Sequence, residues 1–366
     1  MTAFILALIF AYSLFVILIL TGIWIILPKR TKPRDTKLPG VSVLIPFRNE
    51  AENLPLLIQD LLNQSYPKNK VELIFINDHS SDKGRDILVP VCHQTRHKFI
   101  DLPSEIRGKK AALKRGIENA SHDVLITCDA DCRMGRNWLY SMLEHSLRNQ
   151  SDMVLGPVVL RGNGFAAFQA AESLSLLAVS MGSAGLGEPV LSNGANLLFR
   201  KQDFMAYEDP HKQAVSSGDD IFLMEKYKAE KKRISFNTSP EAVVTSAASQ
   251  NLTQLIDQRI RWVSKTRHYT WGSSKLSAAV FGILQVGFLV SVPLLLFNNA
   301  ALLGYLFGFK LLYDNLVVLI TARVYRVGYN PLSASVLSLL YPLWTLGSGV
   351  LSFTRKAQWK GRPVVN

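Results

Sequence analysis

The sequence predicts an α/β domain with a Rossmann-like, mostly parallel sheet, flanked by N- and C-terminal transmembrane helices. Three short apolar runs, at residues 41–46, 71–76 and 123–127, alternate with stretches of helical character. This alternation is typical of a parallel, doubly wound sheet. Long apolar segments before residue 28 and after about residue 275 are long enough to cross a hydrocarbon core of ~30 Å.

The N-terminal apolar run, residues 4–27, is uncharged and about 24 residues long, which predicts a retained membrane anchor. A cleaved signal peptide fits less well, because no Lys or Arg precedes the run and no small-residue cleavage site follows it. Basic residues at 29–37 follow at once and predict that the N-terminus lies outside and the middle of the chain in the cytoplasm. This would make the chain an integral membrane protein.

A net charge of +13 is compatible with nucleic acid binding or with an anionic membrane surface. The cations cluster beside apolar segments and no basic-aromatic module is present, so membrane lipids are the predicted partner and nucleic acid is not. The three cysteines are predicted to be reduced thiols, as expected in the cytosol.

The C-terminal apolar region predicts a helical hairpin, residues 276–297 and 300–321, and a further segment at 332–353. Three full crossings would place the basic tail, residues 355–366, outside, against the positive-inside rule. We therefore expect the last segment to turn back at Pro342 or to lie in the interface. Lys310 and Asp314 are four residues apart in the hairpin and are expected to pair.

Two acids directly follow the third predicted strand, at Asp129 and Asp131. The carboxyl ends of parallel strands are the edge where such sheets bind ligands. Paired carboxylates there suit Mg²⁺ or Mn²⁺, held jointly with a substrate diphosphate. The alternative is that these are ordinary turn acids.

The other strand ends also carry polar residues. Asp78 can accept a hydrogen bond from a nucleotide base, or it can cap the next helix together with Ser80. Lys109 begins a predicted helix and can reach a diphosphate, although a solvated lysine is the commoner arrangement.

Six motifs in order resemble family 2 glycosyltransferases, in the membrane-bound branch that includes cellulose, chitin and hyaluronan synthases and ceramide glucosyltransferase. They are Pro46 with Asn49-Glu50, Asn77-Asp78 with Ser80 and Asp82, Gly108-Lys109 with Ala112-Leu113, Asp129 with Asp131, Gly218-Asp219-Asp220, and Gln258 with Arg261-Trp262. The resemblance implies a GT-A fold and an inverting transfer from a nucleotide sugar, usually UDP-linked.

The resemblance assigns the general base to Asp220, supported by Asp219; the alternative is that both acids cap the following helix. It places the nucleotide sugar against Pro46, Arg48, Glu50, Asp78, Ser80, Lys109 and Asp129.

On the acceptor and diphosphate side the resemblance implies Gln258, Arg261 and Trp262, and also Asn193 and Gly194, which otherwise form a simple turn. Trp262 is also a residue type favoured at membrane interfaces regardless of chemistry. Arg259 and Arg267 are expected to face lipid headgroups, and Glu172 to be exposed.

The predicted organisation has five parts: a membrane anchor at 1–28, a cytosolic catalytic domain at 29–250, an interfacial helix at 251–275, transmembrane or re-entrant segments at 276–354, and a cytosolic tail at 355–366. The expected acceptor is a lipid or a polysaccharide, with any glycan-assembly partners unknown. Two alternatives remain open, a sugar-phosphate nucleotidyltransferase-like enzyme and an inactive membrane scaffold of a glycan-assembly complex.

Overall fold

The structure is a computed structural model that describes residues 1–27, 38–93, 95–205, 219–269, 272–355, 358–359 and 362–363. The chain divides into two compact units. The helical unit consists of Met1–Leu27, Leu160–Leu191 and Ala248–Gln358. The sheet unit consists of Pro28–Val159, Ser192–Ala247 and Trp359–Asn366.

The described residues contain three β-sheets, and most of their strands belong to the sheet unit. In chain order the strands are β1 Val41–Phe47, β2 Val71–Asn77, β3 Lys98–Asp101, β4 Val124–Thr127, β5 Cys132–Met134, β6 Met153–Leu155, β7 Val158–Arg161, β8 Leu197–Arg200, β9 Ile234–Phe236, β10 Val244–Ala247, β11 Gln358–Trp359 and β12 Arg362–Pro363.

Helices lie between these strands and make up most of the helical unit. In chain order they are α1 Thr2–Ile26, α2 Leu54–Leu62, α3 Gly84–His93, α4 Lys109–Asn119, α5 Trp138–Asn149, α6 Phe165–Gly185, α7 Lys201–Met205, α8 Asp219–Ala229, α9 Leu252–Lys265, α10 Gly272–Leu296, α11 Ala300–Tyr325 and α12 Pro331–Thr354.

The main sheet has seven strands in the order β3-β2-β1-β4-β8-β6-β9. β1 runs parallel to β2 and β4, and β2 runs parallel to β3, whereas β8 is antiparallel to both of its neighbours. β1 and β2 are buried along their whole length, which is why they read as continuous apolar runs. The predicted α/β fold with a mostly parallel sheet is therefore confirmed.

Five helices in the described part of the chain are long and apolar enough to cross a membrane, judged by length and composition: α1, α6, α10, α11 and α12. The expected hairpin corresponds to α10 and α11, and the Asn299 side chain caps α11 by accepting a bond from Leu302 N–H at 3.0 Å. Orientation in a membrane stays a prediction.

The last apolar segment does not turn back at Pro342, because α12 continues through it from Pro331 to Thr354. That form of the expectation is wrong. Proline removes one backbone hydrogen bond, but such a loss is tolerated in apolar helices whose neighbours satisfy the freed group. The alternative, that this segment lies in the interface, is not decided by the helix alone.

Helix α6 belongs to the helical unit, although it falls inside the range expected for the catalytic domain. Its glycines allow a close approach to α1. A Cβ atom on Gly22 would lie 1.9 Å from the carbonyl oxygen of Gly182, and one on Gly185 would lie 1.9 Å from that of Gly22. Glycine is therefore required where these two helices cross.

Candidate active site

The strands β1, β2 and β4, which directly precede three of the sequence motifs, end at the same edge of the sheet. β1 pairs with β2 so that Phe47 is opposite Asn77, and with β4 so that Leu44 is opposite Thr127. All three strands are parallel, so the residues that follow them emerge on the same side. The expectation that the polar strand ends meet at one edge is confirmed.

Asp78 lies at this edge and is 1% exposed. Its carboxylate accepts a hydrogen bond from the Gly108 N–H, and the Arg48 guanidinium donates to its backbone oxygen at 3.3 Å. Burial raises the pKa of Asp78, although the Gly108 bond and the charge of Arg48 oppose the shift. Gly108 has a φ of 101°, a backbone conformation that favours glycine, so the peptide can turn its N–H toward Asp78.

The loops after β1 and β2 brace each other. The Ser80 hydroxyl accepts from the Asn49 N–H at 3.0 Å, and the Asn49 side chain accepts from the Ser81 N–H at 2.8 Å. Asp82 accepts from the Ala51 N–H at 2.7 Å and the Gly84 N–H at 3.0 Å. Ser80 therefore has a structural contact, and its contact with a nucleotide stays a prediction.

The remaining predicted donor residues on β1 and its loop are also placed. Pro46 is inside β1, opposite Ile76 of β2. Glu50 is 8% exposed and accepts a hydrogen bond from the Asn53 side chain at 2.6 Å.

Asp129 and Asp131 follow β4 and take different partners. Asp129 forms an ion pair with Lys109 at the start of α4. Asp131 accepts from the Ser246 hydroxyl of β10 at 2.9 Å. Burial and then the negative charge of Asp129 raise the pKa of Asp131, as expected for two carboxylates that share a site.

Asp220 joins this cluster from a distant part of the sequence. Burial by itself would lower the pKa of Lys109, but the charges of Asp129, Asp220 and Asp131 outweigh it and raise that pKa. Lys109 therefore pairs with Asp129 and lies within electrostatic reach of Asp131 and Asp220. The sequence motifs at 109, 129–131 and 220 thus lie in the same region of the sheet edge.

Backbone N–H groups fix the Asp220 carboxylate. One oxygen accepts from the Gly194 N–H at 3.0 Å and the other from the Ile221 N–H at 2.9 Å. The contact to Gly194 brings the predicted acceptor segment and the predicted base together. Asp219 is the first residue of α8, and its side chain, like Gly218, lies outside the described residues.

Asn193 is exposed and its side chain closes a local turn by accepting from the Ala195 N–H at 3.0 Å. A Cβ atom on Gly194 would meet Asp220 at 3.6 Å, an ordinary contact. The protein alone therefore does not require glycine at 194, and a close approach of sugar to this backbone stays a prediction.

Asn196 holds this segment in place, and the sequence patterns did not single it out. It is fully buried, accepts from the Trp138 indole N–H at 3.0 Å, and donates to the carbonyls of Pro157 and Ala242 at 3.0 and 2.9 Å. A Cβ atom on Gly156 would lie 2.3 Å from the Asn196 side chain. The signal available in the sequence was a polar residue, Asn196, directly before the apolar run of β8.

The predicted acceptor residues Gln258, Arg261 and Trp262 are on α9, in the helical unit. Their spacing of three and four residues places them on one face of that helix. Gln258 accepts from Arg259 at 2.6 Å, and the Arg259 guanidinium lies 4.2 Å from the centre of the Trp262 ring.

Arg259 and Glu172 correct two sequence-based expectations. Arg259 is 4% exposed and Glu172 is 2% exposed, and they form an ion pair within the helical unit. Arg259 therefore does not face headgroups. The sequence around each residue shows a single charge on a helix, which is usually exposed. Its burial depends on a partner on another helix, 87 residues away, and local spacing gives no sign of that partner.

The metal prediction is only partly supported by this geometry. Among the described residues, no group of three or more His, Cys, Asp or Glu side chains is arranged to hold a metal ion. Two neighbouring carboxylates nevertheless fit Mg²⁺ or Mn²⁺, which are commonly bound by one or two carboxylates together with substrate phosphates. Cys128 and Cys132, on either side of the acid pair, are free and buried, in agreement with the prediction of reduced thiols.

Comparison with known proteins gives the context for this edge. Residues 42–204 match the family model described as Glycosyl transferase family 2. The chain carries a family 2 glycosyltransferase domain. The predicted family resemblance is thereby confirmed, and the matched range begins in β1 and ends in α7, so it includes Asp78, Lys109 and the acid pair.

Two curated relatives support this family. The Glycosyltransferase AglE of Haloferax volcanii is 29% identical over 185 residues, covering 50% of this chain and 60% of AglE. The poly-beta-1,6-N-acetyl-D-glucosamine synthase of Staphylococcus aureus strain COL is 34% identical over 109 residues, covering 30% of this chain and 26% of the synthase. The matches thus span less than two thirds of the length of either relative.

A solved structure shows the same fold over nearly the whole chain. The mannosyltransferase PcManGT from Pyrobaculum calidifontis, in complex with GDP-Man and Mn²⁺, aligns with a TM-score of 0.57 at 18% identity. The alignment covers 96% of this chain and 98% of that one.

Proposed function

We propose that this protein is an inverting glycosyltransferase that moves a sugar from a nucleotide-sugar donor to a hydroxyl group of a lipid or glycan acceptor at a membrane surface. The observation that carries the proposal is the ion pair of Lys109 with Asp129 at the carboxyl edge of the sheet, with Asp131 and Asp220 within electrostatic reach of the same ammonium group. A family 2 glycosyltransferase domain over residues 42–204 supports the reaction class.

Asp129 and Asp131 would hold Mg²⁺ or Mn²⁺ together with the donor diphosphate. The bound ion would offset the negative charge that builds up on the leaving nucleoside diphosphate. Lys109 lies beside Asp129 and would contact the same phosphates. The similar mannosyltransferase was solved with Mn²⁺, which favours trying that ion first.

Asp78 and Arg48 would form the nucleotide end of the donor site. The buried Asp78 carboxylate can accept a hydrogen bond from a base N–H, a group that uracil and guanine both present. A UDP sugar is the proposed donor. The GDP-Man in the similar mannosyltransferase makes a GDP sugar the first competitor to test.

Asp220 would act as the general base. Its carboxylate would take the proton of the acceptor hydroxyl while that oxygen forms a bond to the anomeric carbon from the face opposite the leaving group. The bond from that carbon to the phosphate oxygen breaks, and the nucleoside diphosphate leaves with the electron pair. Two backbone N–H bonds hold the carboxylate in one orientation for this step.

Gln258, Arg261 and Trp262 would serve the acceptor and the diphosphate. An Arg guanidinium matches phosphate geometry, and an indole ring stacks on a sugar face. The basic residues after α1 favour a cytoplasmic catalytic side for this membrane protein.

The test uses the full chain in lipid nanodiscs with a panel of UDP and GDP sugars, Mn²⁺ or Mg²⁺, and membrane lipid extract as acceptor. We expect nucleoside diphosphate release and a glycosylated product by mass spectrometry, both abolished by chelator and by Asp131→Asn. Glu118→Gln, on the exposed face of α4 and paired with Arg115, is the matched control.

Pyrophosphate release in place of nucleoside diphosphate would instead identify a nucleotidyltransferase. Neither nucleotide binding nor turnover with any donor would identify an inactive scaffold. Full transfer in excess chelator would overturn the metal-dependent mechanism.

A further inference from the structure

Glu172 is a buried carboxylate for which the proposed reaction has no direct use. It is the only charged residue of α6 and is 2% exposed. Removing an ionised carboxylate from water is costly unless it is paired and hydrogen-bonded. Its partners therefore indicate why it is there.

Donors from two other helices meet this carboxylate, and besides Arg259 and Trp344 they include the Tyr341 hydroxyl of α12. Arg259 of α9 donates from Nε to one oxygen at 2.9 Å and from Nη2 to the other, a bidentate arrangement. The Trp344 indole N–H of α12 donates to the first oxygen at 3.3 Å. Glu172 thus joins α6, α9 and α12 within the helical unit.

The rest of the Arg259 guanidinium contacts two residues of the acceptor motif. Its Nη1 donates to the Gln258 side-chain oxygen at 2.6 Å, and its Cζ atom lies 4.2 Å from the centre of the Trp262 ring. The bond to Gln258 occupies the amide oxygen and fixes which way the NH₂ group points. The guanidinium carbon lies over the indole ring, a cation–π contact that favours one orientation of the Trp262 side chain.

We infer that Glu172 is a positioning residue that, through Arg259, orients Gln258 and Trp262 toward the acceptor. The assignment of those two residues to the acceptor rests on the proposed function. A bidentate carboxylate fixes the plane of the guanidinium, and the plane in turn fixes the amide and the ring.

Stability alone gives a weak reason for this ion pair. Replacing a buried pair by apolar side chains of similar volume is often neutral or stabilising, whereas removing one partner is strongly destabilising. The pair is therefore better explained by the geometry it imposes on α9 than by the stability it adds.

That contrast makes the double variant Glu172→Met/Arg259→Met the decisive test. It removes both charges together, so the thermal midpoint in nanodiscs should lie clearly above that of either single variant, and below that of the wild type only by the cost of the Trp344 and Tyr341 hydrogen bonds. Arg355→Met is the matched control. Arg355 also forms an ion pair with α9, to Asp257 at 3.0 Å, and this ion pair includes neither Gln258 nor Trp262.

Two readouts separate positioning from a structural role. The first is acrylamide quenching of Trp262 fluorescence, taken as the difference between each variant and its Trp262→Phe counterpart. The second is steady-state kinetics with the acceptor and the donor varied in turn. We expect the double variant to show faster quenching and a kcat/KM for acceptor about 100-fold lower, with the KM for donor unchanged.

A double variant with wild-type quenching, or with wild-type kcat/KM for acceptor, would overturn the inference. Single variants Glu172→Gln and Arg259→Met should lose both stability and transfer, and recovery of transfer together with stability in the double variant would indicate a structural pair only. If the wild-type chain transfers no sugar, the proposed function fails, while the quenching comparison still decides whether Glu172 positions Trp262.

Discussion

The carboxyl edge of the main sheet and the helical unit differ in how their charges are paired. At the sheet edge, Lys109 pairs with Asp129 and also feels the negative charges of Asp131 and Asp220, so several acidic residues share one cation. In the described part of the helical unit, buried charges are paired with counter-charges, as in Glu172 with Arg259 and Lys310 with Asp314. An arrangement with surplus charge is suited to a cation or a charged substrate, whereas a balanced pair is suited to fixing helices. The difference separates a site for chemistry from the framework that supports one.

Asp220→Asn tests the role of the sheet edge and should have the largest effect on activity. Loss of the base should lower kcat by about 10²–10⁴-fold, the usual contribution of general base catalysis. Metal-dependent binding of the nucleotide, measured by calorimetry, should survive because Asp129 and Asp131 remain. Asp131→Asn should instead abolish that binding. Turnover by Asp220→Asn at the wild-type rate would exclude it as the base.

The contribution of a buried ion pair in the helical unit is tested at Lys310. This residue is 1% exposed and bonds to Asp314 at 2.5 Å, and Asp314 also accepts from Tyr12 and from Ser338. Lys310→Met should destabilise the chain by about 3–5 kcal/mol, because it leaves a carboxylate without its counter-charge.

The double variant Lys310→Met/Asp314→Leu should recover most of that loss, since apolar pairs often replace buried ion pairs without cost. Thermal unfolding in detergent measures both variants. Equal midpoints for Lys310→Met and the wild type would show that the pair is not needed.

A balanced carboxylate in the sheet unit predicts a pH dependence. Burial by itself would raise the pKa of Glu72, but Lys98, the Ser121 N–H and the hydroxyls of Ser42 and Ser121 lower it to about 2. Because the folded pKa lies below the unfolded one of about 4.3, this stabilisation is present above that value and is lost as the pH falls toward 2.

The contribution is about 2–3 kcal/mol at neutral pH. The free energies of unfolding of the wild type and of Glu72→Gln, measured by denaturant between pH 2 and 6, should therefore differ at pH 6 and become equal near pH 2. A constant difference across that range would contradict the assignment.

The smallest expected effect concerns packing without charge. Gly22→Ala should destabilise the contact of α1 with α6 by about 1–3 kcal/mol, because its methyl group would meet the Gly182 carbonyl at 1.9 Å. Gly308→Ala in α11 is the control, since a Cβ atom there meets nothing within 4 Å. Thermal midpoints compare the two, and equal midpoints would show that α1 and α6 can separate freely.

Much of the sheet edge was predictable because its signals are local. The apolar runs of β1, β2 and β4 are continuous since both faces are buried, and the acids directly after β4 follow from chain order alone. By contrast, the short strands β5, β6, β7, β9 and β10 carry too few residues for a periodic pattern, and no strand was predicted there.

The residues missed by sequence reasoning act across long distances in the chain. Ser246 reaches Asp131, and Asn196 reaches Trp138, Pro157 and Ala242. The burial of Arg259 depends on Glu172 of another helix. None of these partners is set by spacing along a helix or strand.

The sequence by itself determined the α/β class, the long apolar helices and the acids that follow β4, because each depends on residues adjacent in the chain. The placement of Asp220 near Lys109 and the pairing of Glu172 with Arg259 beside Gln258 and Trp262 depend instead on tertiary folding. The reason is that a charge becomes catalytic or structural through its neighbours in space and through its burial, and folding alone sets both.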